Sequence, residues 1–218
     1  MLFVLTLRQQ VARQRNIARP NGRHQQRLNN PITLRMAAAN AVQLSAQRCD
    51  QLNRLDGAAL LWRLHLLGAD VGTRWLDVAQ GWDLSPEFAG LSAFNDVHAV
   101  WVLVGQQRLH DATDLVAEVE RRALNGNVSE TLDVIEVALP LLRGMLAFGR
   151  EDFAEAVRLI DPLQTQLHRI GGSHAQRDGI GQTLLMAAIR SGNVALSSTL
   201  LAQRRDKQQT PLTQYLKG

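Results

Sequence analysis

From Asp56 onward, apolar residues recur three and four apart, the spacing that gathers them on one face of a helix. The clearest stripes are Val71, Trp75, Val78 and Trp82; Leu109, Ala112, Val116 and Val119; and Phe153, Ala156, Val157 and Ile160. They follow junctions that each carry a glycine: Leu67-Gly68-Ala69-Asp70, Val104-Gly105-Gln106-Gln107, Phe148-Gly149-Arg150-Glu151 and Ser191-Gly192-Asn193. Glycine ends helices because it enters the left-handed backbone region without steric penalty. The residues that reopen the pattern, Val71, Leu109, Phe153 and Val194, lie about 40 residues apart, a period of helical-hairpin repeats. The small residues Ala112, Ala156 and Ser197 sit three further on, where helices must approach closely. The prediction is an all-α chain of about four helical hairpins, bent or restarted at Pro140 and Pro162.

The period suggests a tetratricopeptide-like superhelix, with first helices lining a concave surface and second helices on the outside. The most informative joint is Ile170-Gly171-Gly172-Ser173-His174-Ala175-Gln176-Arg177-Asp178. Two glycines stop one helix, and Ser173 with Gln176 three residues later forms a capping box that starts the next. On that new helix His174, Arg177 and Asp178 precede the apolar stripe of Leu184, Leu185 and Ala188. An unpaired buried charge costs several kcal/mol, so polar groups leading into a core stripe imply a satisfied network or a ligand groove. The network reading has Arg177 paired with a buried carboxylate, either Asp178 or one from a neighbouring hairpin.

Several motifs carry a family resemblance. They are Leu60-Leu61-Trp62-Arg63-Leu64, Val71-Gly72-Thr73-Arg74-Trp75, Ala93-Phe94-Asn95-Asp96-Val97-His98-Ala99, Leu139-Pro140 with Ala147-Phe148-Gly149-Arg150, and above all Gly171-Gly172-Ser173-His174-Ala175-Gln176-Arg177-Asp178. With them, residues 56 to 205 resemble the tetratricopeptide repeat protein 38 family. The resemblance implies an all-helical repeat protein with no established catalytic reaction. Members of that family place further repeats ahead of the matched segment, so the chain looks like the C-terminal part of such a protein. The first hairpin then lacks its covering neighbour, and the run Leu60, Leu61, Leu64, Leu66 and Leu67 is expected to stay partly open and to drive self-association.

Charge divides the chain in two. Residues 1 to 49 hold eight arginines and no acid, with turn formers at Pro20-Asn21-Gly22 and Asn29-Asn30-Pro31 and no sustained stripe. Residues 1–50 therefore read as a basic, largely disordered or unrelated leader, and 51–218 as the repeat domain. Neither aromatic interleaving nor a docking motif accompanies the arginines, which argues against nucleic acid as a partner. No run is long enough and apolar enough for a membrane span, and the single cysteine, Cys49, fits a reducing, cytoplasmic setting.

The candidate polar residues are Asn95, Asp96 and His98, with His174, Gln176, Arg177 and Asp178. They form no His-Glu-x-x-His or Cys/His set, no Gly-x-Ser-x-Gly elbow and no cofactor motif, so neither a metal, a cofactor nor a catalytic residue is assigned. The expectation is a non-catalytic scaffold that binds a protein or peptide. The alternative is a small-molecule-binding protein or hydrolase using the region of His98 and His174, which requires the two imidazoles to be close together.

Overall fold

The computed structural model describes residues 51–80, 82–126 and 131–207. The basic leader lies outside the described residues. Those described fold as helices joined by turns, with no strand among them. They are α1 (Gln51–Leu66), α2 (Arg74–Ala79), α3 (Ala93–Gly105), α4 (Leu109–Leu124), α5 (Leu139–Gly149), α6 (Phe153–Ile160), α7 (His174–Arg190) and α8 (Val194–Lys207). Shorter 3-10 turns at Pro86–Phe88, Asp161–Leu163 and Leu167–Ile170 link them.

The four junctions close in the same way. The backbone N–H of Gly68, Gln107, Glu151 and Gly192 donates to the carbonyl three residues back, at 2.9, 2.9, 3.0 and 3.1 Å. The next N–H, of Ala69, Arg108, Asp152 and Asn193, reaches five residues back at 3.0, 2.8, 2.9 and 2.9 Å. That pair of bonds satisfies the last carbonyls of the helix and needs a left-handed residue at its centre. The φ angles there are 69°, 61°, 63° and 74°. Gly68 and Gly192 adopt this without cost, whereas Gln107 and Glu151 each bear about 1 kcal/mol of strain.

Local chemistry also sets the helix starts. Ser92 caps α3, Asp152 caps α6 through a 3.1 Å bond from Glu155 N–H, and Ser173 with Gln176 makes both bonds of the capping box on α7. At Pro140 the chain does not break. A π-helical stretch, Val134–Ala138, absorbs the proline's missing donor directly before α5. Pro162 falls in the 3-10 turn that ends α6. The first predicted stripe is cut at both ends: Asp70 accepts from Gly72 N–H at 2.8 Å and holds a turn before α2, and Gln80 leaves the helical conformation after it, at ψ 120°. Val71 and Trp82 thus lie outside α2, although both pack on the core.

The first helices of the four hairpins, α1, α3, α5 and α7, face one another. α1 packs on both α3 and α7, and α3 packs on α5. Their shared centre is filled rather than concave. Trp62 of α1 stacks on Trp101 of α3 with centroids 5.6 Å apart, and Phe148 of α5 meets Trp62 edge-on at 5.8 Å. Trp101 Nε1 points at Met145 Sδ, and Trp62 Nε1 donates to Thr183 Oγ1 of α7 at 2.8 Å. Gly179 makes this closure possible, since a Cβ there would stand 2.9 Å from the Trp101 ring. Fully buried rings of this size contribute several kcal/mol each, which outweighs leaving an open groove. The leucine run at the end of α1 is covered in part by the same closure. Leu61 and Leu66 are buried, whereas Leu60, Leu64 and Leu67 pack against the core and stay partly exposed, so what remains open of the expected face is confined to those three.

Candidate functional site

The seven candidate residues occupy two places. Asn95, Asp96 and His98 lie in the first turns of α3, and His174, Gln176, Arg177 and Asp178 in the first turn and a half of α7. The joint meets α3 at Phe94, whose ring fills the space where a Cβ on Gly172 would stand.

On α3, Asn95 is half-buried and its N–H donates to the capping Ser92 Oγ. Asp96 is 5% exposed, and its two oxygens accept from Gly90 N–H at 3.2 and 3.1 Å. Burial pushes its carboxyl up to about 7, against the Gly90 bond and the Arg122 charge. His98 is 1% exposed, between the rings of Phe94 at 4.4 Å and Trp101 at 4.7 Å. Its Nδ1 lies 2.8 Å from the Phe94 carbonyl, which makes Nδ1 the protonated nitrogen, and Nε2 has no partner among the described residues. Burial drives its pKa down to about 4, and the nearby Arg63 charge adds to this. The imidazole is therefore neutral and sealed within the core.

On α7 the picture is different. His174 is exposed and lies 3.5 Å from an Arg177 nitrogen. Gln176 serves the capping box, and its side chain also hydrogen-bonds Asp56 of α1, whose pKa burial raises. Arg177 meets no carboxylate among the described residues; it straps the carbonyls of Gly171 and Gly172. Asp178 instead accepts from Arg204 of α8 at 2.8 Å and from Gln182 at 2.6 Å. The expected pairing of Arg177 fails because adjacent helical residues point about 100° apart, so Arg177 turns back to the joint while Asp178 faces α8.

A network does exist here, built mainly on residues not foreseen as its members. Arg63 of α1 donates to Ala59 O at 2.9 Å and across to Ala175 O at 2.7 Å, fixing α1 to the first turn of α7. Its signal in the sequence was a lone cation inside Leu60-Leu61-Trp62-Arg63-Leu64. Arg204 and Thr183 had no comparable signal. His98 and His174 are not brought into one site: one is enclosed under Phe94 and the other stands on the surface. Among the described residues no group of three or more His, Cys, Asp or Glu side chains could hold a metal ion, and no helix is long and apolar enough to cross a membrane.

No protein-family model matches the chain, and no solved structure matches it.

Proposed function

We propose that the chain is a cytoplasmic helical-hairpin repeat protein of tetratricopeptide type, similar to the tetratricopeptide repeat protein 38 family, and that it works by holding another protein. The observation that carries this reading is the fourfold recurrence of one reverse turn, at Gly68, Gln107, Glu151 and Gly192, each between two packed helices. An array of like hairpins offers a long surface of fixed shape, which is how such repeats engage partners. Here the array is wound tightly enough that the fourth hairpin meets the first, so the docking surface is an outer one.

The segment between α2 and α3 suits that role. Phe88 and Leu91 stand 51% and 61% exposed on it. It is braced from beneath by Asp96 on Gly90 N–H and by Arg122 donating to Glu87 O at 2.7 Å. Apolar side chains on a braced loop lose little freedom on binding, which favours recognition. The test is affinity capture with the full chain beside a Phe88→Asp, Leu91→Asp double variant. Loss of captured protein at an unchanged thermal melt supports the reading. Identical capture by both forms refutes this surface, and capture of nothing above background refutes the scaffold.

A further inference from the structure

The reverse turns differ in one respect. The outer two place glycine at the left-handed position, whereas the middle two place Gln107 and Glu151 there and retain the strain. Both side chains line one groove of about 550 Å³ at the edge where the turns align. Its lining is mostly polar, with Leu109 partly exposed on it and Val104 and Phe148 buried beneath. Residues held in costly backbone states concentrate where a side chain is needed at that place.

The charged side chains around this groove also form no ion pairs among the described residues. Arg190 holds its guanidinium 5.3 Å from the ring centroids of both Phe148 and Phe153, with one long 3.5 Å bond to Leu66 O. Arg150 donates to Thr113 Oγ1 at 2.7 Å. Neither arginine forms an ion pair among the described residues, in contrast to Arg108, Arg121, Arg143, Arg158, Arg169 and Arg204. Asp70 and Glu151, on the same groove, have no cationic partner among the described residues either. Two cations and two carboxylates, all exposed, thus border one open groove without pairing with one another. A ligand bearing both charges would satisfy them.

We propose that this groove binds a small zwitterion of amino-acid or dipeptide size, with its carboxylate on Arg150 and Arg190, its ammonium on Glu151 and Asp70, and an apolar side chain against Leu109. The volume is within the range of small-molecule sites. Gln107 supplies a neutral amide to the peptide or carboxylate oxygens. This site is separate from the braced loop and from the polar joint on α7.

The test is titration calorimetry of the full chain with the dipeptides Leu-Leu, Ala-Phe and Gly-Lys, and with the N-acetyl and C-terminal amide forms of Leu-Leu. Saturable binding of at least one free dipeptide is expected, with each cap on a binding Leu-Leu weakening it about tenfold or more, as is Arg190→Gln. Arg150→Gln serves as a second cation variant should loss of the ring contacts of Arg190 unfold the chain. Glu151→Gly is the sharpest variant: it relieves the left-handed strain, so the melting temperature should rise while affinity falls. No saturable binding of any of the three dipeptides to about 10 mM overturns the proposal. Equal binding of the N-acetyl form identifies a plain anion site and overturns the zwitterion, and an unchanged affinity in Glu151→Gly overturns the role of the strained turn.

Discussion

Replacing Asp96 with asparagine removes one titrating group and keeps the clasp on Gly90, because an amide carbonyl still accepts from that N–H. The carboxyl ordinarily titrates at 3.8 and burial raises it to about 7 in the fold. Between those values the native state holds a proton that the unfolded state has released. This contribution to stability is fully present below pH ~3.8 and is lost as pH rises through ~7, at ~1.4 kcal/mol per unit and ~4 kcal/mol in all. His98 runs the other way: its folded value is about 4 against 6.5. Its contribution is present above pH ~6.5 and is lost as pH falls through ~4, a span worth ~3 kcal/mol. Two residues apart on one helix, the groups oppose each other, and between pH ~4 and ~6.5 their slopes nearly cancel. The Asp96→Asn variant uncovers His98. Urea unfolding followed by tryptophan fluorescence at a series of pH values should show the variant gaining ~4 kcal/mol on the parent between pH ~4 and ~7, since all other titrating groups are common to both. A difference that stays flat over that window would show that the carboxyl ionises at its ordinary value, and the account of its burial would be wrong.

Arg177→Ala removes bonds to two exposed turn carbonyls and should lower stability by no more than about 1 kcal/mol, whereas Arg204→Ala strands Asp178 beside α8 and should cost ~2 kcal/mol, discounted from the fully buried case because Asp178 is one-third exposed. Urea midpoints in the reverse order would sink the assignment of Arg204 as the carboxylate's partner. Thr183→Val leaves the buried Trp62 Nε1–H without an acceptor and should cost ~1 to 3 kcal/mol, with a shift in tryptophan emission; an unchanged spectrum and midpoint would show that this bond does not hold α1 to α7.

What could be read from the chain alone was what neighbours along it decide. Ser173 and Gln176 announced their capping box because both bonds lie within one turn, and the four junctions announced themselves through glycine near each helix end. Even there the left-handed residue was hidden twice, since Gln107 and Glu151 adopt a conformation that sequence assigns to glycine. The polar candidates were found as residues but not as partners. Asp178 is matched by Arg204 on the next helix, and Arg63 by a carbonyl 112 residues away.

Those long connections have one origin. Periodicity tells which face of a helix is apolar, but not how many helices share that face, and four inward stripes can line an open superhelix or meet at a centre. Side-chain volume decides between the two. Trp62 and Trp101 together fill the middle, Gly179 removes a Cβ that would press on the Trp101 ring, and Thr183 supplies the acceptor that the Trp62 indole N–H then requires. Once α7 lies on α1, the polar first turn of α7 comes to rest against Arg63, and the leucines of α1 are partly covered. His98 loses access to water in the same step, as its ring is the next layer beneath Trp101. A residue that looked like a base in a groove is thus neutral packing.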